Sequence, residues 1–89
     1  MVEIKFLARF RDIAGERSVN IEHNGNVGEL IDILTEKYGN EFKDALFDKN
    51  HELRDYMKIL INGEDAGGGL DSKVKNGDEI VIFQTIAGG

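Results

Sequence analysis

Gly88 and Gly89 stand last in this 89-residue chain, after an apolar run and a short stretch from Gln84 to Ala87. A terminal carboxylate is the one acyl group of a chain that no side chain carries. It can attack the α-phosphate of ATP and become an acyl-adenylate, from which a sulfur donor or an amine displaces AMP. Residues without a Cβ suit that use, because their backbone lies flat in a narrow channel and takes φ values that others avoid. Six extended residues reach at most about 20 Å, enough to enter the cleft of a partner enzyme. The scheme needs no acid, base or metal from this chain, and the ATP would be consumed by the partner, with no cofactor bound here.

Other residues that could do chemistry carry weaker signals. The chain has no cysteine, which removes a disulfide, a thiolate zinc site, an iron–sulfur cluster and a cysteine nucleophile. His23 and His51 are isolated, each beside one glutamate (Glu22, Glu52), and read as solvated surface residues. Gly67-Gly68-Gly69 is followed by Leu70-Asp71-Ser72, without the lysine and spacing of a phosphate cradle, so it reads as a flexible loop. The acids between Glu29 and Asp55 read as a solvated helix face, with no metal site. A small enzyme is therefore not expected.

Net charge is −6, with the acidic excess between residues 19 and 55. Phosphate backbones reward clustered Lys and Arg, which argues against nucleic acid. No run of 18 apolar residues and no basic leader followed by an apolar block is present. The expectation is a soluble, cytoplasmic monomer, one domain over 1–83 with a flexible tail over 84–89.

The elements that must position such a tail follow from periodicity. Val2, Ile4, Phe6, Ala8 and Phe10 alternate with Glu3, Lys5, Leu7 and Arg9, which predicts a strand over 2–10. A polar turn over 11–16 then leads to a second short strand around Val19 and Ile21. Asn26 with Glu29 three residues on forms a capping box. Val27, Leu30, Ile31, Leu34 and Tyr38 follow as one helical stripe that Gly39 ends. A short helical piece spans 41–48, a third strand spans 56–61 with the turn Asn62-Gly63, and a last strand spans 79–83. The run from Glu64 to Gly69 is expected to be irregular. A helix with one apolar stripe must lie across a sheet. The first and last strands alternate best and are expected side by side, parallel, at the centre. This is the α+β arrangement of a β-grasp: a mixed sheet of four to five strands curled round one main helix.

The sheet face away from the helix should be polar, yet Leu7, Leu60, Val81 and Phe83 fall on it. They are expected to merge into one apolar docking patch ringed by Lys5, Arg9 and Lys58. Phe83 adjoins the tail, so a partner bound there would receive Gly89.

Phe6-Leu7-Ala8-Arg9-Phe10-Arg11-Asp12-Ile13-Ala14-Gly15, Asn62-Gly63-Glu64-Asp65-Ala66, Asn76-Gly77-Asp78-Glu79-Ile80-Val81-Ile82-Phe83 and Ala87-Gly88-Gly89 together resemble the ubiquitin-like sulfur carriers. The small subunit of molybdopterin synthase and the small archaeal modifier proteins are the nearest in pattern. The resemblance implies adenylation of Gly89 by a ubiquitin-activating-type enzyme. Two fates follow: a thiocarboxylate that donates sulfur, including to the molybdopterin synthase large subunit, or an isopeptide bond to lysines of target proteins. Glu52-Leu53-Arg54-Asp55-Tyr56 leans towards the archaeal modifiers and thus towards conjugation. The alternatives are a dedicated sulfur carrier without conjugation and a passive β-grasp interaction module. Relatives match Leu7, Leu60 and Phe83 at the contact with the activating enzyme. They usually carry two prolines where this chain has Gln84-Thr85, so the tail here is expected to be looser.

Overall fold

The structure is a computed structural model that describes residues 1–65 and 70–85. In chain order the elements are β1 (Val2–Phe6), α1 (Arg9–Ala14), β2 (Ser18–Ile21), β3 (Gly25–Asn26), α2 (Val27–Tyr38), α3 (Asn40–Leu46), β4 (Met57–Ile61), β5 (Glu64–Asp65), β6 (Lys73–Val74) and β7 (Glu79–Gln84). Among the described residues, five strands form a sheet in the order β2-β1-β7-β4-β5, and β3 pairs with β6 as a separate ribbon. β1 and β7 are parallel neighbours at the centre, with Ile4 opposite Ile80 and Phe6 opposite Ile82. The β-grasp arrangement expected from the element order is the one observed.

α2 begins as its sequence dictates. The Asn26 side-chain oxygen accepts the Glu29 N–H at 2.8 Å, and the Glu29 carboxylate accepts the Asn26 N–H at 3.0 Å. The next N–H groups, of Val27 and Gly28, donate to the carbonyls of Ser72 and Leu70, so the first turn leaves no orphan donors at those positions. Val27, Leu30, Ile31 and Leu34 are buried against the sheet face formed by Val2, Ile4, Phe6, Met57, Ile59, Ile80 and Ile82. Tyr38 continues the stripe and meets Phe6 edge-on at 5.6 Å, while its hydroxyl donates to Glu16. Burial first, and then that carboxylate, hold the Tyr38 hydroxyl above the ordinary tyrosine range.

Three features differ from the reading of the sequence. The first strand stops at Phe6, and residues 9–14 are a helix. Alternation through Phe10 competes with a helical spacing over Phe10, Ile13 and Ala14. The helical spacing prevails because α1 buries Phe10 completely, 5.6 Å from the Phe42 ring of α3. Ala8 marks the break with φ 51°. Arg9 consequently sits on α1 and not on the outward side of the first strand.

Glu64 and Asp65 are the second departure, since they form the edge strand β5 against β4. Asn62 and Gly63 both have positive φ, 52° and 85°, the pairing that folds a strand straight back on itself. The third is the β3–β6 ribbon, which two-residue strands do not announce in a sequence. Gly67, Gly68 and Gly69, read as a flexible loop, lie outside the described residues.

Gly39 separates α2 from α3 with φ 92° and ψ 176°, a region open essentially to glycine alone. A Cβ there would meet no atom within 4 Å, so the penalty for adding one is purely one of backbone conformation. Gly39→Ala is expected to lower the unfolding free energy by about 1–3 kcal/mol, read as a lower urea midpoint at unchanged slope.

Candidate docking face and tail

The register of the central strands assembles the four apolar residues singled out above. Val81 of β7 lies opposite Leu60 of β4 on one side and Lys5 of β1 on the other. Phe83 lies opposite Lys58. The Leu7 N–H donates to the Ile82 carbonyl at 3.4 Å, which carries the β1–β7 pairing one residue beyond the strand and brings Leu7 level with Phe83. Direct cross-strand neighbours share a face of the sheet. Leu60, Val81 and Phe83 are half-buried, whereas their chain neighbours Ile59, Ile80 and Ile82 are buried under α2 and α3. Leu7 is 49% exposed, which makes it the most accessible of the four.

The charged rim is more balanced than the sequence suggests. Lys5 Nζ lies 3.1 Å from Glu79 Oε2, and Lys58 Nζ lies 3.3 Å from Asp65 Oδ2. The hydrogen bond and charge of Glu79 hold the Lys5 ammonium above its ordinary range. Both pairs are exposed and contribute little to stability. Their effect is to neutralise two cations at the edge of the apolar patch. Lys58, opposite Phe83, is thus occupied by Asp65.

Gly88 and Gly89 lie outside the described residues. The chain leading to them is described as far as Thr85. β7 continues through Gln84, opposite Met57. Thr85 then donates its N–H to the Tyr56 carbonyl at 2.7 Å and its hydroxyl to the same oxygen at 3.0 Å. Gln84 and Thr85, where a looser start is expected from the missing prolines, are thus respectively paired with and hydrogen-bonded to the β4 segment. A proline at position 85 could not make the N–H bond, and threonine makes two bonds where proline would restrict only φ.

A bracket that the sequence does not reveal braces the other end of β4 and β7. The Asn62 side chain donates to Asp78 Oδ1 at 3.0 Å and accepts the Glu79 N–H at 2.9 Å, while Asp78 Oδ2 accepts the Lys75 N–H at 3.0 Å. Both turn residues are visible in the sequence, but nothing local shows that two turns 16 residues apart meet. His23 also departs from the reading of a solvated histidine: it is half-buried, its N–H donates to Asn76 Oδ1 at 3.1 Å, and its Nε2 lies 3.2 Å from the Asn26 carbonyl. His51 is exposed. Among the described residues no three His, Cys, Asp or Glu side chains are grouped to hold a metal ion, and no helix is long and apolar enough to cross a membrane.

Geometry of this kind, with one helix-covered sheet face, an outward face bearing an apolar patch and a last strand at the centre, defines a ubiquitin-like β-grasp protein. The chain belongs to the ThiS family, whose model matches residues 4–89. It is 34% identical over 65 residues to a putative sulfur carrier protein of Archaeoglobus fulgidus, covering 71% of this chain and 73% of that one. The solution structure of small archaeal modifier protein 1 from Methanosarcina acetivorans superposes with a TM-score of 0.83 at 31% identity, covering 99% of this chain and 95% of that one. The crystal structure of the Amycolatopsis orientalis BexX/CysO complex contains a chain matched with a TM-score of 0.83 at 29% identity, each chain covered completely.

The Asn62–Asp78 bracket makes stability at the patch pH-dependent in a definite direction. Hydrogen bonds from Asn62 first and the Lys75 backbone second hold the Asp78 carboxyl below its ordinary value of 3.8. A depressed folded-state value stabilises the fold fully above the unfolded value and loses that contribution as pH falls through the folded one. Acid unfolding curves of Asp78→Asn should therefore lie below those of the unaltered chain above pH ~4 and converge with them at lower pH.

Proposed function

We propose that this chain is a ubiquitin-like modifier and sulfur carrier whose Gly89 carboxylate is activated by an ATP-dependent adenylating enzyme seated on Leu7, Leu60, Val81 and Phe83. One observation carries this reading: the family match runs through residue 89, and the strand that supplies Val81 and Phe83 is the one that leads into those last residues. A partner on that face therefore sits beside the chain's exit.

The chemistry belongs to the partner. A carboxylate oxygen of Gly89 attacks the α-phosphorus of ATP and pyrophosphate departs. A lysine amine of a target protein then attacks the acyl carbon, loses a proton and expels AMP, leaving an isopeptide bond. A sulfide-level nucleophile on the same adenylate leaves a thiocarboxylate. What this chain contributes is the apolar face, the positioned exit and a terminus slim enough for a channel. The name of the Archaeoglobus relative supports the sulfur branch, and that of the Methanosarcina structure supports the modifier branch. Intact mass separates them: sulfur in place of one oxygen on the free protein marks the first, and Gly-Gly-modified lysines in digests of cell protein mark the second.

Incubation with the activating enzyme, ATP and hydroxylamine is expected to give a hydroxamate at Gly89, and deletion of Gly88-Gly89 is expected to abolish it. A passive interaction module would be indifferent to both. Central apolar anchors of an interface cost about 1–2 kcal/mol or more on truncation. Leu60→Ala and Phe83→Ala should accordingly each raise KM for the activating enzyme about 5- to 30-fold with kcat little changed. Wild-type KM in both variants would remove this face from the activation step.

A further inference from the structure

Thr85 is the last described residue before Gly89, directly after β7. Its two donors saturate a single acceptor, the Tyr56 carbonyl, which has two lone pairs to offer. That acceptor is itself held from several sides. The Tyr56 side chain packs against the core. The Met57 N–H donates to the Arg54 carbonyl at 2.9 Å, and Arg54 donates its own N–H to Leu46 at 2.9 Å and its Nε to the Asp44 carbonyl at 3.1 Å. The lead-in to β4 is thereby tied to the end of α3.

We infer that Thr85 is a positioning residue that fixes the point from which the chain departs toward Gly89 through its two hydrogen bonds to the Tyr56 carbonyl. The inference rests on the reading of Gly89 as the activated group. Four residues beyond Thr85 reach at most about 14 Å, against about 20 Å for the six counted from Gln84. Fixing the point of departure shortens the length of chain that must be ordered when Gly89 enters a partner's channel, so less conformational freedom is lost on docking. That advantage appears in binding and not in the chemical step. The N–H alone would continue the strand pairing, as any residue but proline can. The hydroxyl adds a second tether and makes the identity of residue 85 matter.

Thr85→Val keeps the shape, the β-branching and the N–H, and removes the hydroxyl. In ATP–pyrophosphate exchange catalysed by the activating enzyme, KM for the full chain is expected to rise about 2- to 10-fold, the range of one neutral hydrogen bond, with kcat unchanged. Thr85→Ser should restore KM. In the free protein the amide of residue 85 should exchange with solvent about 2- to 10-fold faster in Thr85→Val than in the unaltered chain, and Thr85→Ser should return it to slow exchange. Unchanged KM in Thr85→Val, or failure of Thr85→Ser to restore it, overturns the inference while leaving activation of Gly89 intact. If the unaltered chain supports no exchange of pyrophosphate, the reading of Gly89 fails instead. The amide measurement then decides the tether alone, and equal exchange rates in all three chains overturn it.

Discussion

Parallel pairing of the first strand with the last is the constraint from which the rest of this structure follows. Ile4 against Ile80 and Phe6 against Ile82 put both ends of the folded chain in the middle of one sheet. Everything between must leave from one end of β1 and return to start β7 at the other. The α2 helix makes that passage over one face, and the apolar stripe from Val27 to Leu34 closes the face beneath it. The opposite face receives no covering element among the described residues. β7 therefore has one side in the core and one side outward.

The core holds this arrangement together. Phe6, Phe10, Phe42 and Tyr38 meet at centroid distances of 5.6–5.8 Å, with the three contacts involving Phe6 or Phe10 close to edge-on, the geometry that aromatic quadrupoles favour. That cluster joins β1, α1, α2 and α3. It lies entirely on the covered side of the sheet. The Asn62–Asp78 bracket and the Thr85–Tyr56 bonds fasten β4 to β7 at their two ends. Between the fasteners sit Leu60, Val81 and Phe83, on a piece of sheet whose register cannot slip by one residue without exchanging its two faces.

What could be read from the sequence was whatever depended on residues near one another in the chain. The Asn26–Glu29 box, the stripe of α2 and the stop at Gly39 all rest on spacings of three or four residues, and each appears where its spacing puts it. The outward positions of Leu60, Val81 and Phe83 needed only strand alternation and the expectation that β1 and β7 pair. Phe10 was illegible because strand and helix spacings both fit it, and only the Phe42 ring, 32 residues away, decides between them. The bonds of Thr85 are invisible in the sequence for the same reason. Their partner is the carbonyl of Tyr56, and a backbone acceptor leaves no trace in side-chain pattern. The Asn62-Gly63 turn was seen, but its consequence, an edge strand at Glu64 and Asp65, required both residues to take positive φ.

Electrostatics set the character of the outward face. The chain carries a net −6, yet the two lysines flanking the patch are each matched by a carboxylate within 3.3 Å. Paired, exposed charges at that distance cancel beyond about one Debye length, ~8 Å at physiological ionic strength. The outward patch therefore offers apolar contact and shape more than long-range attraction. The Lys58–Asp65 pair adds a geometric consequence, because Asp65 belongs to β5 and β5 exists only through the Asn62-Gly63 turn. The turn places an acid beside a lysine at the edge of the apolar patch. The same few residues thus decide where the sheet ends, which cation at its rim is neutralised, and how apolar the outward surface beside the end of β7 is.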